Sequence, residues 1–249
     1  MKTAWDYTAL ADAYLKRPDY SGAAIDALLL HAGVGAGARV CDIGAGAAHL
    51  TLELAARGLA VTAVEPNDAM RRNGMARTAK LPTVQWREGT GEATGEPAGA
   101  FDLVTFGSSF NVTDRPAALR ESARILKPRG WFACLWNHRD LEDPLQAAIE
   151  NVIAQQVPGY GYGVRREDQT AVIDASGLFE TVHRLEGCVE HRQSKADCVE
   201  AWRSHATLQR QAGARFEATI AAIEKLLDAR PGPQIVVPYT TRVWTARRK

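Results

Sequence analysis

Short apolar runs and amphipathic stretches alternate along the chain from Arg39 to Trp136. The apolar runs predict strands over 39–43, 59–64, 84–86, 101–106 and 131–136. The amphipathic stretches between them predict helices over 47–57, 68–78 and 114–126. Strands that alternate with helices at this spacing predict a parallel sheet with helices on both faces, joined by right-handed crossovers.

Beyond Asn137 the alternation loosens. The pattern there predicts helices over 145–157, 195–211 and 214–229, and strands over 181–193 and 234–247. A loop rich in glycine and tyrosine follows Pro158. No linker, repeat or low-complexity segment separates these parts, so we expect one domain over 1–249. Its predicted parts are N-terminal helices (1–32), a ligand-binding core (39–137), a cap (138–233) and a closing strand (234–249).

Composition narrows the class of protein. The 249 residues are 46% hydrophobic and 24% charged, with a formal net charge of +1. A nucleic-acid-binding protein usually carries a clear positive excess, so we expect no nucleic-acid partner. No apolar run approaches the ~20 residues that span a bilayer, so no membrane partner is expected. The four cysteines include no CxxC pair, and two lie inside apolar runs that predict strands, which suits a reducing, cytoplasmic location.

A glycine-rich turn follows the first predicted strand, in Val40-Cys-Asp-Ile-Gly-Ala-Gly-Ala-Ala-His49. Glycines after a strand let the main chain approach a ligand where a Cβ would collide, and the next helix presents its free N–H groups there. Glu65 ends the second strand, where a carboxylate accepts hydrogen bonds from two ribose hydroxyls. Together these features predict an adenosine-type cofactor across the carboxyl ends of the first two strands.

Two cofactor classes fit this arrangement. A dinucleotide requires G-x-G-x-x-G/A, and here His49 occupies the third, small position. S-adenosylmethionine requires the glycine turn for its amino-acid end and the acid for its ribose. The usual pattern is acidic-x-G-x-G-x-G; Asp42 leads it here, and Ala48 replaces the third glycine.

Further along the chain, the sequence resembles the class I S-adenosylmethionine-dependent methyltransferases over roughly 39–137. The matching motifs are Asp42-Ile-Gly-Ala-Gly46, Val64-Glu-Pro-Asn67 with Met70, Arg87-Glu-Gly-Thr-Gly-Glu-Ala93, Phe101-Asp-Leu-Val104 and Leu126-Lys-Pro-Arg-Gly130. The resemblance implies an α/β, Rossmann-like, doubly wound fold. Its seven-stranded sheet is expected to be mostly parallel, with an antiparallel C-terminal strand and extra helices that roof the active site.

The resemblance also implies S-adenosyl-L-methionine as cofactor and a set of binding residues. Glu65 matches the ribose acid, Met70 a residue that packs on the adenine, and Thr90 a position where the family often has Asp. We add Arg17, facing the carboxylate of the cofactor. The expected cofactor-binding residues are Arg17, Asp42, Gly44, Ala45, Gly46, Glu65, Pro66, Met70, Gly89, Thr90, Gly91 and Phe106.

The flanks are similar to one small-molecule branch, that of trans-aconitate methyltransferase. Tyr14-Leu-Lys-Arg-Pro-Asp-Tyr20 and Val199-Glu-Ala-Trp-Arg-Ser204 carry this similarity. The branch often has a His-Trp pair after the fourth strand, where this chain has Phe110-Asn111. The flanks therefore indicate a small-molecule acceptor without naming it.

The methyl group of the cofactor is already on a good leaving group, so alignment and desolvation can supply most of the catalysis. His138, after the fifth predicted strand, is the candidate general base. Arg139 is expected to pair with Asp140 or Asp143, or with an acidic substrate. Tyr160 lies in a candidate mobile lid. The expected substrate-binding residues are Tyr14, Ser108, Ser109, Asn111, Asn137, Tyr160, Trp202 and His205.

Several motifs that would indicate a metal-dependent reaction are absent from the sequence. There is no HExxH, no Cys/His cluster and no acidic pair after the fourth strand, so no metal is expected. The sequence predicts a methyltransferase, monomeric or homodimeric, that acts on O, N or C of a small molecule. Two alternatives stay open at this point: an NAD(P)-dependent oxidoreductase, and a non-catalytic binding or regulatory protein with the same fold.

Overall fold

The structure is a computed structural model and describes residues 6–249. The strands are β1 (Arg39–Ile43), β2 (Ala60–Val64), β3 (Val84–Arg87), β4 (Phe101–Gly107), β5 (Leu126–Arg139), β6 (His183–Ser194) and β7 (Gln234–Arg247). The helices are α1 (Ala11–Tyr14), α2 (Gly22–Ala32), α3 (His49–Ala56), α4 (Asp68–Thr78), α5 (Arg115–Ile125), α6 (Pro144–Gln156), α7 (Thr170–Ala175), α8 (Lys195–Arg203), α9 (Ala206–Ala212) and α10 (Phe216–Asp228).

The strands form one seven-stranded sheet in the order β3-β2-β1-β4-β5-β7-β6. β1 to β5 pair in parallel, and β7 pairs antiparallel with both β5 and β6. The chain order reverses between β1 and β4, and such a switch point leaves a crevice at the carboxyl ends of the strands. The predicted fold class is confirmed, including the antiparallel C-terminal strand.

Helices cover both faces of the sheet. On one face, α2 and α3 pack on β1 and β2 through residues such as Ile25, Leu54 and Val61. On the other face, α5 and α7 pack on β4 and β5 through Leu119, Ile173 and Phe132. The central strands are therefore apolar on both sides, which is the pattern of a buried parallel sheet.

A separate cluster of apolar side chains holds the cap together. It joins α6, α8, α9 and α10 to the first half of β7, and includes Ile149, Trp202, Ile220 and Val237. The apolar face of α10 packs into this cluster. Because β7 pairs with β5, the helices of the cluster lie beside the carboxyl end of β5. The short helix α7 was not predicted from the sequence.

The fifth strand is longer than the predicted 131–136. Residues 127–130, between the predicted helix and the predicted strand, belong to β5, and a register shift against β4 accommodates them between Phe101 and Leu103. Arg129 has a φ of +61° within this irregularity. At its other end β5 continues through His138 and Arg139, which pair with Thr240 and Tyr239 of β7. His138 therefore lies on a strand, and not after one.

Two helix boundaries also differ from prediction. The helix predicted from Ala47 begins at His49, since Ala48 adopts a left-handed conformation with a φ of +71°. The helix predicted over 195–211 is divided at Ser204 and His205 into α8 and α9. Of the predicted N-terminal helices, residues 1–5 lie outside the described part. Among residues 6–249, no helix is long and apolar enough to cross a membrane.

Candidate active site

A cavity of about 440 Å³ lies at the carboxyl ends of β1, β2, β4 and β5. Its volume falls in the range of small-molecule sites, about 300–1,000 Å³. The glycine turn after β1 and the loops after β3 and β4 form one side. The N-terminal segment 7–20 and the cap form the other side. The switch point of the sheet thus carries the cavity where the sequence predicted a ligand.

Most of the residues predicted for the site line this cavity. They are Tyr14, Arg17, Asp42, Gly44, Ala45, Gly46, Glu65, Pro66, Met70, Thr90, Gly91, Phe106, Ser108, Ser109, Asn111, Asn137, His138 and His205. Three predicted residues do not line it: Gly89, Tyr160 and Trp202.

Each of these three has a packing role instead. A Cβ on Gly89 would lie 2.8 Å from the carbonyl oxygen of Thr94, so this glycine allows two main-chain segments to approach. Tyr160 packs against the apolar cluster of the cap, and the next tyrosine, Tyr162, lines the cavity. Trp202 is 4% exposed and stacks on His205 with ring centroids 4.6 Å apart.

The glycine turn requires glycine at two positions. Gly44 has a φ of +67°, and a Cβ there would lie 2.4 Å from Cβ of Ser109. Gly46 has a φ of +56°, and its Cβ would lie 3.0 Å from Cε of Met70. The amide of Gly44 donates to the carbonyl oxygen of Val64 at 2.8 Å, which ties the turn to β2. The turn is therefore fixed to β2, and two of its residues have the left-handed conformation that favours glycine.

Glu65 faces this turn from the end of β2. Its Oε2 accepts from the amide of Gly46 at 2.9 Å, and its Oε1 accepts from the amide of Asn67 at 2.8 Å. Burial raises the pKa of Glu65 to about 7, against the opposing effect of these two amides. An ionised carboxylate can accept about four hydrogen bonds, so Glu65 retains acceptor capacity towards the cavity.

Asp42 lies at the base of the site and is fully buried. Its carboxylate accepts from the hydroxyls of Thr51 at 2.7 Å and Thr105 at 3.0 Å. Burial raises its pKa to about 6, and the two hydroxyls oppose that shift. Because these bonds join β1 to α3 and β4, Asp42 positions the turn.

The N-terminal segment is fastened over the cavity by His49, a role that the sequence analysis did not assign. Its Nδ1 lies 2.9 Å from Oδ1 of Asp19, and its Nε2 lies 3.2 Å from the carbonyl oxygen of Tyr14. The hydrogen bond to His49 lowers the pKa of Asp19 despite partial burial. The first residue of α3 thus holds in place the segment that brings Tyr14 and Arg17 to the cavity.

The polar residues after β4 are mostly engaged with the protein. Ser108 has a φ of +59°, and its hydroxyl lies 2.9 Å from that of Tyr20. Ser109 donates to the carbonyl oxygen of Ile43 at 2.6 Å. Asn111 accepts from the indole of Trp136 at 2.9 Å. These contacts shape the wall of the cavity.

Asn137 is engaged in the same way. Its Nδ2 donates to the carbonyl oxygen of Asp19 at 2.9 Å, and its Oδ1 accepts from the hydroxyl of Thr241. Both halves of the amide are thus used to join β5 to the N-terminal segment and to β7.

His138 differs from these residues because one of its ring nitrogens has no partner. Its Nε2 lies 3.1 Å from the carbonyl oxygen of Arg165 and must carry the proton, since a carbonyl only accepts. Its Nδ1 is buried without a hydrogen-bond partner in residues 6–249. Burial, and next the charge of Arg166, lower its pKa to about 4. The ring is therefore neutral and keeps a lone pair on Nδ1.

The expected pairing of Arg139 with Asp140 or Asp143 was wrong, whereas its pairing with an acidic substrate stays a prediction. Arg139 is 7% exposed and pairs with Glu150 at 2.9 Å, and not with Asp140 or Asp143. Its guanidinium also donates to Tyr162 at 2.8 Å and lies 4.0 Å from the ring centroid of Trp202. Glu150 follows Arg139 by eleven positions on a different element, so no local spacing indicated the pair.

Sequence reasoning also missed several residues that line the cavity. They are Tyr7, Tyr20, His49, Tyr162, Arg165, Arg166 and Tyr239. Arg165 and Arg166 lie on a short 3₁₀ turn, Gly163–Arg166, where no periodicity marks a buried face. Tyr239 was part of the predicted closing strand, but only its pairing with Arg139 places it beside the site.

No cluster of His, Cys, Asp and Glu that could hold a metal ion occurs in the described residues.

Comparisons with known proteins agree with this geometry. Residues 41–134 match a family model described as a methyltransferase domain. An uncharacterized methyltransferase of Mycobacterium tuberculosis is 37% identical over 124 residues, which are 50% of this chain and 48% of the relative. The ubiquinone/menaquinone biosynthesis C-methyltransferase UbiE of Caulobacter vibrioides is 33% identical over 109 residues, 43% of this chain and 42% of the relative.

A solved structure extends the likeness of fold to nearly the whole chain. The structure of a putative type II methyltransferase from Anaeromyxobacter dehalogenans superposes with a TM-score of 0.63 at 20% identity, covering 93% of this chain and 97% of the other. The match in sequence is shorter, since it spans only about half the length of the mycobacterial relative. The segment that matches the family model, 41–134, contains the glycine turn, Glu65, part of β1 and the whole of β2, β3 and β4. Residues 41–134 are therefore a class I S-adenosylmethionine-dependent methyltransferase domain, a family whose cofactor is S-adenosylmethionine.

Proposed function

We propose that this protein is an enzyme that transfers a methyl group from S-adenosylmethionine to a small-molecule acceptor. The observation that carries the proposal is the pairing of Glu65 with the glycine turn at the edge of the cavity, at 2.9 Å from the amide of Gly46. In this pair, a carboxylate that can accept hydrogen bonds from the two ribose hydroxyls lies beside a glycine, whose main chain carries no Cβ. The methyltransferase domain match over 41–134 supports the same proposal.

The residues of the site fit the cofactor. A Cβ at Gly44 or Gly46 would meet Ser109 or Met70, so glycine at these positions lets the turn pack closely where its main chain would face the methionyl group. The remaining lone pairs of Glu65 are available to the ribose hydroxyls. Met70 lines the cavity beside the turn, and its side chain can pack on the adenine.

The loop after β3 and the N-terminal segment complete the cofactor site. Thr90 and Gly91 line the cavity at the adenine side, and a Cβ on Gly91 would lie 2.6 Å from Cγ2 of Thr113. Arg17 reaches the cavity from the N-terminal segment, where its guanidinium can pair with the carboxylate of the cofactor. The loop after β3 would thus hold the adenine end of the cofactor, and the N-terminal segment would hold its carboxylate end.

When bound, the cofactor would supply a methyl group on a sulfonium sulfur, and this sulfur is a good leaving group when a nucleophile attacks the methyl carbon in line. The protein contributes alignment and exclusion of water, because the N-terminal segment and the cap enclose the reacting centre. His138 can accept a proton at Nδ1 from an acceptor whose nucleophile is protonated. A small acceptor is supported by the cavity volume and by the similarity to the Caulobacter relative, which is a C-methyltransferase of ubiquinone and menaquinone biosynthesis.

Two measurements test this proposal. Calorimetry of the purified protein with S-adenosylhomocysteine is expected to show saturable binding, and absence of binding would contradict the proposal. Labelled S-adenosylmethionine incubated with a metabolite extract is expected to yield labelled small products, each about 14 Da heavier than its precursor. Binding without transfer would favour a non-catalytic protein, and tight binding of NADH would favour an oxidoreductase.

A further inference from the structure

Four arginines from three segments line the cavity. Arg17 comes from the N-terminal segment, Arg139 from β5, and Arg165 and Arg166 from the 3₁₀ turn after α6. We call these four residues the arginine cluster. In addition to burial, the positive charges of Arg17 and Arg139 lower the pKa of Arg165. Like charges repel when they share a buried space, so this arrangement needs a source of negative charge.

Only one member of the arginine cluster has an acidic partner in the described residues. Arg139 pairs with Glu150 at 2.9 Å. Arg166 donates to the carbonyl oxygen of Arg139 at 3.1 Å, and Arg165 lies over the ring of Tyr162 at 4.8 Å from its centroid. Arg17 donates to Nε2 of His205 at 3.0 Å, a neutral acceptor. Within residues 6–249, Arg17, Arg165 and Arg166 therefore form no ion pair of their own, although the charge of Glu150 also acts on Arg166.

The acidic residues that line the cavity are engaged elsewhere. Glu65 accepts from the amides of Gly46 and Asn67, and Asp42 accepts from two threonines. Glu92 accepts from the amide of Asp114 at 2.7 Å, and Asp114 caps α5. These four carboxylates thus accept hydrogen bonds from main-chain amides or threonine hydroxyls, and among the described residues none of them forms an ion pair with the arginine cluster.

Two buried N–H groups at the arginine cluster also have no acceptor. His205 is 6% exposed, and Nε2 accepts from Arg17, so its proton is on Nδ1. That Nδ1 and the Nε of Arg17 are buried without a hydrogen-bond partner in the described residues. A buried donor without an acceptor is costly, and at a ligand site the missing acceptor is commonly supplied by the ligand.

The cofactor does not remove the charge imbalance. S-adenosylmethionine carries one carboxylate together with two cationic groups, an ammonium and a sulfonium. Arg17 can bind its carboxylate, but the sulfonium adds positive charge to the same cavity. Arg165 and the Nδ1 proton of His205 are then still without an anionic partner.

We propose that Arg165 and His205 form an anion-binding subsite for the acceptor, and that the acceptor is a small organic acid held by its carboxylate. This inference rests on the proposed function, because it assigns the acceptor end of the same cavity. A guanidinium binds a carboxylate through two parallel hydrogen bonds, which fixes the orientation of the acceptor as well as its position. The burial that lowers the pKa of Arg165 to about 10 leaves it charged at neutral pH.

The test uses the full chain saturated with S-adenosylhomocysteine. Acetate, succinate and benzoate are compared with acetamide, succinamide and benzamide at constant ionic strength, by calorimetry and by the shift in Tm. At least one carboxylate is expected to bind in a saturable way and more tightly than its amide. For the tightest carboxylate, Arg165→Gln is expected to raise Kd at least ~30-fold, a typical cost of removing one partner of a buried charge pair.

The matched control is Arg72→Gln, an exposed arginine on α4 that is outside the cavity. It is expected to leave carboxylate binding unchanged. Arg165→Lys, which retains the charge but not the planar fork, is expected to recover part of the affinity. Equal binding of carboxylates and amides to the unaltered protein would overturn the proposal, and this comparison does not depend on any variant folding.

The affinity for S-adenosylhomocysteine separates the two proposals. Arg165→Gln is expected to bind it within about twofold of the unaltered protein, since the subsite lies at the acceptor end. A parallel loss of S-adenosylhomocysteine binding would assign Arg165 to the cofactor and overturn the acceptor subsite. Failure of the unaltered protein to bind S-adenosylhomocysteine would contradict the proposed function, and the carboxylate titration without it would still test the subsite.

Discussion

Glu65 accepts a hydrogen bond from the amide of Gly46 at 2.9 Å, so the acid at the end of β2 and the glycine turn after β1 form one unit. Burial raises the pKa of Glu65 to about 7. Near neutral pH the carboxyl group is thus partly protonated, and a protonated group has lost acceptor capacity. The binding of a ribose diol at this site should therefore depend on pH.

We predict that the affinity for S-adenosylhomocysteine is constant well above pH 7 and falls below it. Ribose hydroxyls donate to the ionised carboxylate and favour that form, so binding below pH 7 must release a proton. Kd is then expected to rise by up to tenfold for each pH unit as the pH falls below the pKa of about 7. Calorimetry between pH 5.5 and about 8.5 measures this dependence.

The control for this prediction is Glu65→Gln. The amide does not titrate in this range, so its weaker binding should lack the change near pH 7. A pH dependence that persists in Glu65→Gln would assign the titrating group elsewhere, with Asp42 as the next candidate because its pKa is raised to about 6.

Gly44→Ala is predicted to abolish cofactor binding and to destabilise the protein. The new Cβ would lie 2.4 Å from Cβ of Ser109, in a residue whose φ is +67°. The left-handed conformation costs about 1–2 kcal/mol for a residue other than glycine. The overlap with Ser109 adds about 1–3 kcal/mol. Urea unfolding and calorimetry with S-adenosylhomocysteine measure the two effects.

Gly95→Ala separates the cost of the left-handed backbone conformation from the cost of steric overlap with a neighbouring residue. Gly95 has a similar φ of +76°, but a Cβ there has no neighbour within 4 Å. It should therefore show the cost of the conformation alone and retain cofactor binding. The double variant with Ser109→Gly, which removes the opposing Cβ, should recover part of the stability lost in Gly44→Ala. If Gly95→Ala were as damaging as Gly44→Ala, the close approach to Ser109 would not be the cause.

His138→Gln is predicted to reduce methyl transfer without affecting cofactor binding. Removal of a general base typically lowers the rate by about 10²–10⁴-fold. Because the pKa of His138 is lowered to about 4, its ring should stay neutral, so no loss of rate is expected from its protonation between pH 8 and about 5.5. Transfer of label into small molecules is the measurement, with His31→Gln, an exposed histidine of α2, as control. An undiminished rate would remove His138 from the catalytic residues.

Asp19→Ala is predicted to loosen the N-terminal segment from the core. Asp19 pairs with His49 at 2.9 Å, and His49 also contacts the carbonyl oxygen of Tyr14. Loss of this pair should speed proteolytic cleavage within residues 6–20 about tenfold, the factor for ~1.4 kcal/mol in the opening equilibrium. S-adenosylhomocysteine should restore protection if the segment covers the cofactor.

Asp26→Ala is the control for this experiment. Asp26 forms an exposed ion pair with Arg57 at 2.6 Å, and surface pairs contribute little to stability. It should leave the cleavage rate within residues 6–20 unchanged. Equal acceleration by the two variants would mean that the pair with His49 does not hold the segment.

The local sequence determined the parts of this protein that depend on short-range patterns. The alternation of apolar runs specified β1 to β4 and the helices between them, since strand and helix periodicities are properties of neighbouring residues. The glycine turn and Glu65 were predicted together because the topology of a parallel sheet brings the ends of adjacent strands to one edge. The fold class and most of the cofactor side of the cavity followed from these features.

Only the tertiary structure decided which residues the cap and the N-terminal segment bring to the cavity. Arg139 pairs with Glu150, and His49 pairs with Asp19. Arg17 forms a hydrogen bond with His205, which is 188 positions away. No periodicity relates such positions, because the packing of the cap and the N-terminal segment on the sheet sets their distances. The extension of β5 through His138 depended in the same way on its pairing with β7. Short-range patterns therefore specified the strands and the glycine turn, whereas the long-range packing of the chain brought the arginines and His205 to the cavity.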